Sequence, residues 1–194
     1  RSGTSLAAEI VSEMGFSVPG EMLDVVESIN ALGFWESKEV VNFNESFLAA
    51  CGKKWFDLDV FSDKRIRRSF GARYGRAIKD FLNLSFSSQG NLVIKDPRLC
   101  IFWPFWLSNI DRSQVDVKFV FVNRQPLSVA NSIAARDGFP VFSGVFLWLE
   151  YIFSAFLRLD MPPTLVVRYE DLISDAKSNN LIASFLGADK IPLK

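Results

Sequence analysis

Three short apolar runs, Leu92–Ile94, Val117–Val122 and Leu165–Val167, lack the apolar–polar alternation of a half-buried strand. Strands of that kind are covered on both faces, as in a parallel sheet packed between helices. Helical spacing surrounds them. Leu6, Ile10, Val11 and Met14 recur before a stop at Gly15, and Ile66, Phe70, Tyr74 and Ile78 mark a second helix. Val129 and Ile133, Val145–Leu159 and Leu181–Leu186 mark three more. Strands alternating with helices predict a doubly wound α/β layer. Turn chemistry falls at Ser17–Gly20, Ser87–Gly90, Gly138–Pro140 and Met161–Pro163. No repeat, low-complexity tract or linker interrupts the pattern, so residues 1–194 read as a single domain. A loop that opens a helix in this architecture follows a buried strand. A first strand, central to the sheet and missing from the sequence, is therefore expected ahead of Arg1.

Composition narrows the chemistry. Lys plus Arg equals Asp plus Glu at 22 each, so net charge gives no argument for nucleic acid or an acidic membrane, and any anion site must be local. There is no histidine, which excludes every mechanism built on a histidine base, nucleophile or metal ligand. Cys51 and Cys100 are too few for a disulfide framework and wrongly spaced for zinc, and read as reduced thiols of a cytoplasmic protein. The opening Arg-Ser-Gly-Thr-Ser lacks the basic-then-apolar pattern of a signal peptide, so none is expected in this stretch. The longest apolar runs, Ile101–Leu107 with Pro104 and Val145–Leu157 with Glu150, are expected not to span a bilayer.

Arg1, Ser2, Gly3, Thr4 and Ser5 place a cation, a glycine and three hydroxyls at a helix N-terminus. Free N–H groups and the helix dipole favour an anion there, and glycine lets backbone approach it. The same hydroxyls also suit a plain helix cap. No lysine precedes Thr4 or Ser5, so the loop departs from a Walker A sequence; a single 5′-phosphate would need less charge compensation and no metal. A second anion site is suggested where Val117–Val122 runs into Arg124, with Pro126 suited to the first helical turn and Ser128 and Ser132 on one helix face. Ligands of open α/β sheets bind beyond those strand ends. A salt-bridging Arg124 and a solvated Ser132 are the bland alternative.

Together these segments resemble the 3′-phosphoadenosine 5′-phosphosulfate (PAPS)-dependent sulfotransferases. Arg-Ser-Gly-Thr-Ser looks like their 5′-phosphosulfate loop, and Arg124 with Ser132 like their 3′-phosphate motif. Gly33-Phe34-Trp35-Glu36, Lys95-Asp96-Pro97-Arg98-Leu99, Ser132 to Arg136 and Arg168-Tyr169-Glu170-Asp171-Leu172 follow in family order. These blocks resemble the bacterial and Golgi-type branch, related to tyrosylprotein sulfotransferases. The histidine of the cytosolic steroid and phenol branch is absent, as is its late Arg-Lys-Gly segment. The resemblance implies an α/β, P-loop-like parallel sheet with helices on both faces, PAPS as donor, PAP as product and no metal. The acceptor, a glycan, lipid, peptide or small phenol, stays open.

Sulfonate transfer needs cations around the moving group and a base for the acceptor proton. Lys95 closes a strand and should point into the cleft, and the resemblance assigns it to the transferring group, with Arg1 beside it. Glu36 is the expected base from the family pattern, with Phe34 and Trp35 available to desolvate it. A helix-capping Glu36 is the alternative, and Asp96 is the second candidate base. Lys64–Lys79 reads as the solvated face of an amphipathic helix rather than an acceptor site, and Phe102–Trp106 as core. Arg136 is left undecided. A small-molecule P-loop kinase and a non-catalytic PAP-binding protein are the competing functions.

Overall fold

The computed structural model describes residues 3–24, 33–57, 64–156, 160–174 and 176–188, with backbone alone at 64–70, 72 and 176. Helices α1 (Thr4–Glu13), α2 (Lys38–Ala50), α3 (Lys64–Gln89) and α4 (Leu99–Leu107) come first. Strand β1 (Phe119–Asn123), helices α5 (Pro126–Asp137) and α6 (Val141–Phe156), strand β2 (Thr164–Arg168), α7 (Tyr169–Ser174) and α8 (Ala176–Leu186) follow. The fold is mixed α/β, and among the described residues the sheet has two strands, β1 and β2, paired in parallel from Phe119 opposite Thr164 to Asn123 opposite Arg168.

The expected strand at Leu92–Ile94 does not form as such. That run is extended and makes one parallel bridge, Leu92 to Ser17. It bonds there through Ser17 N–H to the Asn91 carbonyl and Val93 N–H to the Ser17 carbonyl, each 2.9 Å. A single bridge is too short a ladder to count as a strand. The expected turn at Ser87–Gly90 also shifts, because α3 runs through Gln89 and only Gly90 (φ 72°) ends it. There Ser85, Ser87 and Ser88 satisfy their hydroxyls on carbonyls one turn back, so the serines cost the helix little.

Side-chain alternation along β1 sorts the core into two layers. Val122, with Val120, packs with Ala7, Ile10 and Val11 of α1, Val167 of β2 and Ile182 and Ala183 of α8. On the other face Phe119 meets Trp103 edge-on at 5.6 Å and Phe121 meets Phe156 at 4.8 Å. A third cluster joins Val40, Phe47 and Leu48 of α2 to Ile78 and Leu82 of α3 and Phe102 and Trp106 of α4. Each such fully buried aliphatic side chain contributes about 1.5–3 kcal/mol. The Phe102–Trp106 run is therefore core, as expected. Tyr74 and Ile78 also pack inward while Arg73, Arg76 and Lys79 stay exposed, in keeping with an amphipathic α3; Ile66 and Phe70 lie outside the described side chains. Helices α5 and α6 meet where Gly144 lies against Ala130, and an added Cβ there would come within 2.8 Å of the Ala130 Cα. No single described helix is long and apolar enough to cross a membrane.

Candidate functional site

Gly3 is the N-cap of α1, with φ 92° and ψ 9°, and its carbonyl accepts from Ala7 N–H at 3.2 Å. Gly3 supplies no side-chain cap to the helix. Glycine is required twice here. The backbone is left-handed, and an added Cβ would meet Tyr169 Cδ2 at 2.1 Å. Tyr169 is the first residue after β2, and the Arg124 guanidinium lies 4.3 Å from the centre of its ring. The ends of both strands thus meet the turn that opens α1, which carries the positive end of the helix dipole. Thr4, Ser5, Arg124 and Ser132 all line one cavity of about 1600 Å³. Arg1 and Ser2 lie outside the described residues.

Three of the expected site residues converge on one ion. Lys95 Nζ donates to Glu36 Oε1, to Ser5 Oγ at 3.2 Å and to the Phe34 carbonyl at 3.0 Å. Ser5 Oγ donates in turn to the same carbonyl at 3.3 Å. The Lys95 and Glu36 side chains are only 10% and 9% exposed, so this is a buried ion pair at the cavity wall. Gly33 (φ 82°) and Trp35 (φ 54°) bend the loop that delivers the Phe34 carbonyl and the Glu36 carboxylate to the same side. Trp35 is the only non-glycine with positive φ among the described residues, a strain of the kind that persists where the surroundings fix it. Helix α2 is capped by Ser37, whose Oγ accepts from Val40 N–H at 3.3 Å, so Glu36 is not the cap. The expected setting of Glu36 among desolvating aromatics is therefore incomplete, because its carboxylate is held by Lys95.

Asp96 has a different task. It accepts from Asn44 Nδ2 at 2.9 Å, and from Arg98 N–H and Nε at 2.8 Å each. Arg98 also pairs with Glu45, and Trp106 Nε1 donates to Asn44 Oδ1 at 2.9 Å. Burial pushes the Asp96 carboxyl up to about 7, while Asn44, the Arg98 amide and Lys95 pull it back. With no exposed side-chain surface and its oxygens already engaged, Asp96 fixes the turn that aims Lys95 and is poorly placed to take a proton from a substrate. Arg136 lies 5.3 Å from the Trp55 ring centre and pairs with Asp137, although it also lines the cavity.

Sequence reasoning missed the Phe34 carbonyl, Asn44 and the use of Tyr169. Tyr169 was findable, since it follows β2 as Arg124 follows β1 and so sits at the same sheet end. Asn44 carries no signal in one sequence, because its partner is 52 residues away.

Comparison with protein families, curated proteins and solved structures finds no match to this chain.

Proposed function

We propose that this chain is a sulfotransferase that moves a sulfonate from PAPS to a hydroxyl or amine, on a P-loop-like frame of parallel strands. The observation that carries the reading is the convergence of Ser5, Glu36 and Lys95, drawn from three distant segments, beside a cavity that Arg124 and Ser132 also line. A cation, a hydroxyl and a carboxylate are the groups that metal-free in-line transfer to an O–H requires.

In this reading the α1 N-terminus and Ser5 hold the 5′-phosphosulfate, while Arg124 and Ser132 hold the 3′-phosphate through charge-assisted bonds. Lys95 turns from Glu36 towards the sulfonate and stabilises charge on the leaving oxygen. The acceptor oxygen forms a bond to sulfur as the bond from sulfur to the 5′-phosphate oxygen breaks. Glu36, released from Lys95, takes the acceptor proton, and PAP leaves with the electron pair. Arg1 belongs to the same anion loop by its position in the sequence.

The test is thermal unfolding with PAP in the absence of Mg²⁺. A ligand that binds only the folded state at 100 times its Kd stabilises by about 2.7 kcal/mol. Metal-independent stabilisation by PAP, with PAPS turnover over an acceptor panel, is expected. A larger, Mg²⁺-dependent effect of ATP would replace this reading with a kinase. PAP binding without turnover would leave a non-catalytic binding protein.

A further inference from the structure

Helix α6 has two opposed faces. One, with Gly144, Leu147, Tyr151 and Ala155, packs on α4 and α5 or borders the cavity. The other carries Phe142, Phe146, Leu149, Phe153 and Phe156. Steps of four, three, four and three residues separate them, the 3.5-residue period of a seam that packs on another helix.

That seam faces solvent. Phe142, Phe146, Phe153 and Phe156 are 66%, 57%, 59% and 42% exposed, with Leu149 half-buried between them. A whole phenylalanine side chain covers ~200 Å², so the four rings leave about 450 Å² of apolar surface in water. The stripe runs about 21 Å along the helix. Val166 carries it onto the sheet: it stands opposite Phe121 in the β1–β2 register, Phe121 meets Phe156 at 4.8 Å, and Val166 is 52% exposed. A contiguous apolar area of this size marks an interaction surface.

We propose that this stripe joins two copies of the chain, α6 against α6, about a two-fold axis near Leu149. Area, charge and residue order select a second copy as the occupant. A standard interface buries about 800 Å² per partner, and in homodimers about 65% of it is apolar, roughly 520 Å². The four rings and Val166 supply almost all of that. The stripe itself is uncharged, and the one ionisable residue of α6, Glu150, lies at its margin. Nothing on it repels an identical stripe, and nothing on it calls for a partner of opposite charge. The order Phe-Phe-Leu-Phe-Phe reads the same from either end, so a two-fold through Leu149 sets ring against ring. A lipid surface is a poorer match. Helices that lie in a bilayer interface carry Lys or Arg on a polar face, whereas α6 has neither and its second face is already packed. The cavity lies on that second face, so pairing leaves it open, and the inference is independent of any nucleotide chemistry.

Sedimentation velocity over a concentration series from about 0.5 to 100 µM reads the mass of the chain in solution. The parent should be a dimer with a Kd at or below ~10 µM. The double substitution Phe146→Glu, Phe153→Glu should raise that Kd at least ~100-fold. Both rings are exposed in the single chain, so far-UV circular dichroism of the variant should match the parent. If it does not, Phe142→Ser, at the most exposed of the four rings, is read in its place and should raise the Kd at least ~10-fold. Leu84→Glu on α3, at a side chain more exposed than any of the four, should leave the dimer intact. A parent that is monomeric throughout the series overturns the proposal. So does a dimer that survives the stripe substitutions, or one that Leu84→Glu weakens equally. A monomeric parent that co-sediments with neutral phosphatidylcholine vesicles would assign the stripe to lipid, and one that does not would assign it to a different chain. Either result overturns the second copy. PAP binding is scored separately, so failure of one reading does not carry the other with it.

Discussion

Replacing Lys95 by Met should destabilise the fold far more than an exposed lysine would, and the excess should vanish when Glu36 is changed with it. Met keeps the length of the side chain and removes the charge. The ammonium bonds to Glu36, Ser5 and the Phe34 carbonyl, with both charged side chains nine-tenths buried. Its loss leaves the Glu36 carboxylate buried without its ion-pair partner, a situation that costs about 3–5 kcal/mol. Glu36→Gln alone leaves the ammonium two neutral acceptors and should cost less, about 1–3 kcal/mol. In the double variant no charge is stranded, so the combined cost should fall at least 2 kcal/mol short of the sum. Urea unfolding at pH 7, with slopes compared to confirm two-state behaviour, measures all four corners of the cycle. Additive costs would refute the reasoning, because they would mean that the pair does not interact in solution.

Arg124→Ala should weaken PAP binding by about 1.5–3 kcal/mol and leave a nucleotide lacking the 3′-phosphate almost unaffected; equal losses in calorimetry would make Arg124 merely the cover of Tyr169. Gly3→Ala should cost about 2 kcal/mol or more, since it adds left-handed strain to a 2.1 Å approach on Tyr169, and a urea midpoint within error of the parent would contradict that geometry. Asp96 has its pKa raised from 3.8 to about 7, so the native state holds a proton that the unfolded chain has already lost. Its contribution therefore falls as pH rises from about 4 to 7, by a ceiling of about 4 kcal/mol. Asp96→Asn should flatten that part of the stability–pH curve; a curve unchanged in slope would show that Arg98 keeps Asp96 ionised throughout.

The sequence by itself determined the α/β class and most of the helices, because periodicity records which face of each element is covered. It also singled out Ser5, Glu36 and Lys95, three of the residues that meet at the cavity. Ser5 stands out by its place at the start of α1 and Lys95 by closing an apolar run, whereas Glu36 is singled out by the resemblance to the sulfotransferase pattern. What no periodicity carries is partnership across the fold. That Lys95 spends its charge on Glu36, that Ser37 rather than Glu36 caps α2, and that Asp96 is engaged by Asn44 and Arg98 were decided by tertiary packing. The strand at Leu92–Ile94 shows the same division. Its apolar side chains announce an extended buried run, but a strand also needs neighbours on its edges, and here Ser17 supplies one bridge while the other edge faces the cavity. Side-chain pattern is written locally in the chain; hydrogen-bond partners on a sheet edge come from elsewhere, and only the assembled structure brings them there or leaves them out.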